Sequence, residues 1–373
     1  MTASEGSPNL FTILPSGWRA GVKFLGLVIL SFLLFSCEAI SYYSQAARGQ
    51  LMILIGRQDI KILLDGRDLP QDLRDKLELI LQIREFAISE LELPVGDSYL
   101  TYVDVGREHV VWNVFAAPEF ATQPFSWCYP VAGCLAYRGY FSKSKALAYA
   151  EQLESEGLDV YTGGVDAYST LGWFDDSLLS TVLDRPDHQL AALVFHELAH
   201  QVAFAAGDTS FNESFATAVE REGVRRWSKS LNDRRLFERA ELSLSRQSDF
   251  VALVTRWRSR FHDLYESDLT DAEKRSRKCA LQSDLRAAYQ LLKDSWQGYS
   301  GYDAWFARGL NNAQLSTVSS YNDWVPAFEK LLEQEKGNLK SFYGRVAQLA
   351  DQGASVREKA LRRLNSLAVE AAL

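Results

Sequence analysis

Two histidines four residues apart, in the segment His196-Glu-Leu-Ala-His200, constrain this chain more than any other feature. On an α-helix that spacing sends both imidazoles from one face about one turn apart, where their nitrogens can grip one tetrahedral cation such as zinc. The surrounding stretch predicts that helix. Leu190, Leu193, Val194, Phe195 and Leu198 keep an apolar face, Pro186 stands where a first-turn proline belongs, and Gly207 breaks the run. The protein has only five histidines, and two of them form this segment. Burying two imidazoles and a carboxylate in such a helix without a metal or partners is costly. The expected cofactor is therefore one Zn2+ per chain. Glu197, beside the first ligand, is placed as the general base that takes a proton from a water polarised by the metal.

Catalytic zinc has three protein ligands and an open position. Glu213 follows His200 by thirteen residues, at the start of a second helical pattern carried by Phe215, Ala216, Val219, Gly223 and Trp227, and is the candidate third ligand. A local alternative stands beside it. Ser210-Phe-Asn-Glu213 spells a capping box, in which Glu213 folds back on its own helix terminus, although Asp208, Ser210 or Asn212 can cap without it. No third histidine follows at metzincin spacing, and His262 is remote in sequence.

Asn212-Glu213-Ser-Phe-Ala216 is similar to the Asn-Glu-Gly-Phe-Ala run that carries the third ligand in aminopeptidase-N-type gluzincins, and Glu220 also has a counterpart there. The gap after the second histidine is shorter here, so the connecting turn is tighter. Nearly the whole chain after Cys37 resembles a family of bacterial zinc aminopeptidases. The resembling stretches are Tyr42-Tyr43 with Gly49-Gln50, Trp112-Asn-Val-Phe-Ala-Ala-Pro118, Tyr137-Arg-Gly-Tyr-Phe141, Ala167-Tyr-Ser-Thr-Leu-Gly-Trp-Phe174, Phe195-His-Glu-Leu-Ala-His-Gln201 and Phe211-Asn-Glu-Ser-Phe-Ala216. The resemblance implies a zincin-like fold, the ligand set His196, His200 and Glu213, and hydrolysis of peptide bonds under an aminopeptidase label.

In a gluzincin an edge strand ahead of the active helix binds the substrate backbone, and Ala167, Tyr168, Ser169 and Thr170 are the candidates for it; a core-packing turn is the plainer reading. The tetrahedral intermediate also needs a donor other than the metal. Tyr168, Tyr302 and Tyr321 are candidates drawn from 16 tyrosines, most of which serve packing. Asn311-Asn312 is a candidate for hydrogen bonds to a peptide and Asp175-Asp176 for holding a substrate amine, with a helix-ending loop and a solvated turn as the plainer readings.

The rest of the chain reads as α+β. Helical patterns fill 37–95, and aromatic, β-branched runs from Ser98 to Gly164 predict a small, mostly antiparallel sheet interrupted by a helix at 142–156. Further helices are expected over 232–295, 321–350 and 353–372, making the C-terminal half largely helical. The expected organisation is a targeting segment, 1–36, and a metallopeptidase domain, 37–373, with a helical N-terminal part at 37–95, a catalytic core at 96–230 and a helical C-terminal part at 231–373.

A net charge of −8 argues against nucleic acid, whose binding needs clustered Lys and Arg. Arg19 and Lys23 precede an apolar run over 24–36 that ends in Leu34-Phe35-Ser36-Cys37, the pattern of a signal peptide with a lipobox-like site. Lipidation at Cys37, with Glu38 favouring the outer membrane, is one reading, and an uncleaved anchor is the other. Both put the body on the periplasmic face of a Gram-negative membrane, so the expected partners are a peptide substrate and the membrane. Cys128 and Cys134 flank a Pro/Gly turn and are read as a disulfide or two buried thiols, while Cys279 stands alone. The expected function is a zinc-dependent peptide-bond hydrolase. Its alternatives are a zinc endopeptidase and an anchored lipoprotein whose structural zinc serves binding or assembly.

Overall fold

The computed structural model describes residues 41–129, 133–167 and 175–372, without the side chains of 319–321 and 369–372. The apolar run at 24–36, Cys37, and the edge-strand candidates Tyr168, Ser169 and Thr170 lie outside the described residues, as does the side chain of Tyr321. The chain divides into two compact units, one ending at Met52 and a larger one from Ile53 onward. The site lies wholly within the larger.

The class is α+β, with thirteen helices and eight short strands among the described residues. Residues 41–55 form α1, followed by β1 (Gln58–Asp59), α2 (Ile60–Asp65) and α3 (Gln71–Ser89). Along α3 the buried Leu77, Ile80, Ile83 and Ala87 recur every three or four residues, the period that puts them on one hidden face. Then come β2 (Thr101–Val103), β3 (Val111–Pro118), β4 (Trp127–Tyr129), β5 (Gly133–Leu135), β6 (Arg138–Tyr140), α4 (Lys143–Ser155), β7 (Leu158–Val165) and β8 (Leu178–Leu179).

These strands make three small sheets, which corrects the expectation of one. β3 lies between β6 and β7, antiparallel to both; β2 pairs antiparallel with β1 and parallel with β8; β4 and β5 form a hairpin. Side-chain texture marks residues that suit strands, but β2 finds its partners in segments far from it in sequence, and texture carries no information about that pairing. The hairpin register sets Cys128 opposite Cys134, and the two form a disulfide.

From here the chain is helical: α5 (Asp187–Ala199), α6 (Thr209–Ser230), α7 (Arg234–Tyr265), α8 (Asp271–Ser295), α9 (Asp303–Phe306), α10 (Asn312–Asn322), α11 (Val325–Gln334), α12 (Leu339–Ala350) and α13 (Ala354–Ala372). The main core joins Ile80 of α3, Leu190 and Phe195 of α5, Phe215 of α6, Phe328 of α11 and Phe342 of α12. A second core joins Phe261 of α7, Leu285 and Tyr289 of α8, Phe306 of α9 and Leu315 of α10.

α10 begins at Asn312, where the sequence suggests a helix-ending loop, and Asn311 and Asn312 are fastenings there, not peptide contacts. Asn311 donates to the Val160 carbonyl, while Asn312 donates to the carbonyls of Pro118 and Glu119 and accepts from the Tyr265 hydroxyl. The buried Lys278 ammonium joins the same network through Asp159, at 2.6 Å, and the Glu119 carbonyl. Together these bonds tie α7, α8 and α10 to the ends of β3 and β7.

One contact governs how the site helices meet. At Gly223 of α6 an added Cβ would stand 2.6 Å from Cδ2 of Phe195 and 3.0 Å from Cδ1 of Leu91, both side chains fully buried. Glycine in a helix interior costs about 1 kcal/mol relative to alanine, so here close approach outweighs propensity. Gly223→Ala should therefore lower stability by about 1–3 kcal/mol although it favours the helix. Urea unfolding followed by circular dichroism measures this, and an unchanged or raised midpoint would show that α6 does not need the close approach.

Candidate metal centre

α5 carries His196 in its last turn, and His200 caps the helix while keeping helical backbone angles, φ −61° and ψ −20°. The four-residue spacing therefore survives to the helix end, and the two imidazole rings stand with centroids 5.0 Å apart. α5 is buried along Leu190, Ala191, Val194, Phe195 and Leu198, so both rings emerge from a face packed into the main core.

The turn after α5 delivers Glu213. Gly207 takes φ +79°, Asp208 caps α6 by accepting from the Phe211 amide, and Arg357 holds Asp208 through a 2.7 Å ion pair. Asn212 closes the turn from the other side. Its Oδ1 accepts from the Ala205 amide at 2.8 Å and its Nδ2 donates to the Ala205 carbonyl at 2.9 Å. With Asp208 serving as cap, Glu213 takes no part in capping α6 and points at the histidines.

His196 Nε2 lies 3.2 Å from Glu213 Oε2, and His200 Nε2 lies 3.6 Å from the same oxygen. One donor atom from each of the three residues falls within 4.8 Å of the others, and all three residues are buried. Ligands of a tetrahedral zinc with bonds of about 2.0–2.1 Å stand about 3.3 Å apart, so both contacts are close to the edge of that tetrahedron. Two imidazole nitrogens and a carboxylate also make a donor set that suits zinc.

Glu220, two turns along α6 from Glu213, accepts from His196 Nδ1 at 3.0 Å. That bond fixes the tautomer of the neutral ring, leaving a lone pair on Nε2. A lone pair facing a carboxylate oxygen at 3.2 Å repels it unless a proton or a cation lies between, so the geometry fits a bound metal ion. A carboxylate behind a ligating histidine is the usual support for such a ligand. His200 has no equivalent: its Nδ1 is buried without a hydrogen-bond partner among the described residues.

The electrostatics are those of a tight, buried cluster. Burial opposes ionisation of Glu213, but the imidazoles of His200 and His196 outweigh it and hold the carboxyl down to about 2. Burial likewise opposes charge on His196, yet Glu213 and Glu220 keep its pKa well above the ordinary imidazole value. Glu197 goes the other way. Burial pushes its carboxyl up against the pull of His196 and His200, with the charges of Glu213 and Glu220 adding to the rise.

Other candidates lie elsewhere. Tyr302 stacks on Phe250, with ring centroids 4.2 Å apart, alongside Trp296 and Trp305 in the second core. That packing, not the histidine cluster, is its described environment, and burial lifts its phenol to about 12. Ala167 lines a cavity that also borders Glu197. Of the pair Asp175-Asp176, Asp175 is exposed, as a solvated turn predicts, while Asp176 is buried and its backbone is fixed by the Ser98 hydroxyl and the Tyr99 amide. Glu220 is the site residue whose task sequence reasoning missed; its position seven residues after Glu213 on a helix was the available signal.

A model of the protein family described as "Putative aminopeptidase" matches residues 41–361. No curated protein and no solved structure matches the chain.

Removing the Nδ1 acceptor should weaken the metal site without dismantling it. Glu220→Ala is expected to lower zinc affinity about 10–100-fold, measured by competition with a chromophoric chelator. Affinity equal to that of the unaltered protein would remove Glu220 from the site.

Proposed function

The chain belongs to the family described as "Putative aminopeptidase", and on that footing we propose that it is a zinc-dependent peptide-bond hydrolase with a zincin-like arrangement of its helices. One observation carries the reading. Two helices bring two imidazole nitrogens and a carboxylate within 4.8 Å of one another, and the residue next to His196 is a second carboxylate, Glu197.

His196, His200 and Glu213 would hold the zinc. When bound, zinc supplies Lewis acidity, lowering the pKa of water to about 7 and polarising a substrate carbonyl. Glu197 takes the proton from the attacking water and hands it to the departing amine, so one carboxylate serves as base and then as acid. Glu220 keeps the His196 ring turned so that Nε2 faces the ligand position. The main core behind α5 keeps water from the back of both rings.

A structural site has no use for a base beside an open coordination position, which favours an enzyme over a lipoprotein with structural zinc. Aminopeptidase, as against endopeptidase, rests on the family description. We place the reaction outside the cytoplasm, with Cys37 as the lipid attachment point. The Cys128–Cys134 disulfide supports an oxidising compartment.

Glu197→Gln should keep about one zinc per chain while peptide turnover falls by a factor of about 10²–10⁴ or more. Metal analysis and a fluorogenic peptide assay on the same preparation test both halves. Turnover that survived this change with zinc in place would sink the mechanism.

A further inference from the structure

We infer that closing the Cys128–Cys134 disulfide completes the metal centre: the oxidised pair steadies the turn that delivers Glu213, and opening it weakens the hold on zinc. The inference rests on the zinc reading above. Backbone packed on backbone carries it. A Cβ added to Gly133 would stand 2.6 Å from the Gly207 nitrogen, 3.0 Å from its Cα and 3.2 Å from the Ala206 carbonyl carbon. From the other side, a Cβ added to Gly207 would stand 3.6 Å from the Cys134 nitrogen. Gly133 and the disulfide-bonded Cys134 therefore lie directly against the turn between His200 and Glu213.

Other fastenings of the hairpin sit at its far end. The Phe125 amide donates to the Ala116 carbonyl of β3 at 2.7 Å, and the Trp127 indole donates to the Tyr149 hydroxyl of α4 at 2.8 Å. Beyond β5, the chain is pinned where β6 pairs with β3. Each of these points lies outside the loop that the disulfide closes, whereas Gly133 lies inside it. β4 and β5 are three residues long, and a hairpin of two such strands is marginal in water by itself. The disulfide ties the pinned arms together at the place where Gly133 meets the turn.

Opening it loosens the turn without undoing it, because Asn212 still clamps Ala205 and Arg357 still holds Asp208. The expected loss is therefore graded. Cys128 is exposed and Cys134 half-buried, so a reductant can reach the bond. A dithiol supplies both electrons and both protons: one of its thiolates attacks a sulfur, the S–S bond breaks, and its second thiolate closes a disulfide of its own. The chain is left with two thiols, and exchange with a small disulfide reverses the step. A chain in a reducing compartment thus holds zinc less firmly than one that has met an oxidant, which ties loading of the site to the compartment where the pair closes.

The test is the zinc affinity of the full chain, measured by competition with a chromophoric chelator on the oxidised protein, the protein reduced with a trialkylphosphine, and Cys128→Ser/Cys134→Ser. The phosphine takes oxygen from water as the S–S bond breaks, becomes its oxide and leaves two thiols. The serine variant carries no thiol at these positions, so ligation of zinc by sulfur cannot mask the effect there. The reduced protein and the variant should each bind zinc about tenfold more weakly than the oxidised protein. Reoxidising the reduced protein with a small disulfide should restore the original affinity, which a misfolded chain would not regain. Affinity equal to or above that of the oxidised form in either altered state, or a loss that reoxidation does not reverse, would overturn the role of the disulfide and leave the zinc reading standing. A chain that binds no zinc in any state would overturn both.

Discussion

A buried carboxylate oxygen facing two imidazole nitrogens is the constraint around which this protein is arranged. Glu213 Oε2 stands 3.2 Å from His196 Nε2 and 3.6 Å from His200 Nε2, and Glu220 holds the far side of the first ring. In a low-dielectric interior such a group of acceptors repels itself unless positive charge lies among them. Packing therefore has to hold the rings and the carboxylate in place. The approach of α6 to α5 at Gly223, directly against Phe195, does this one residue away from His196.

The motif on α6 divides its work by direction. Asn212 faces the turn and clamps Ala205; Glu213 faces the histidines; Ser214 accepts from the Trp324 amide at the start of α11; Phe215 packs against Phe328 and Phe342. Glu220 returns to the side of Glu213 after two turns. Residues 211 to 219 are buried on every side of the helix, so α6 shows no polar stripe there for solvent. Four neighbouring residues that look like one metal signature are thus one candidate ligand and three fastenings.

The sequence made the paired histidines and Glu213 legible because their relation is local: a helical period, a short turn and a second helix. The competing capping role of Glu213 could be settled only by seeing that Asp208 takes the cap and is itself held by Arg357, 149 residues away in the chain. Glu220 was visible as a residue and invisible as a partner, since nothing in spacing says which ring nitrogen it meets. α10 was hidden because Asn311 and Asn312 favour a loop by propensity, and only their bonds to the ends of β3 and β7 turn them into the start of a helix. The three sheets were misjudged for the same reason: strand texture is local, but the pairing of β2 with β8 is not.

The short gap between His200 and Glu213 is itself explained by what meets the turn. An added Cβ on Gly133 would stand 2.6 Å from the Gly207 amide nitrogen, so the disulfide-closed hairpin of β4 and β5 presses backbone against backbone there. Both glycines have positive φ, +73° and +79°, and neither position would take a side chain without strain. The turn is thus fixed at three points: by the hairpin at Gly207, by Asn212 at Ala205 and by Arg357 at Asp208. A longer connection would have to be ordered by contacts of its own. This one inherits its order from the elements it touches, so Glu213 is set as firmly as the two histidines on the helix before it.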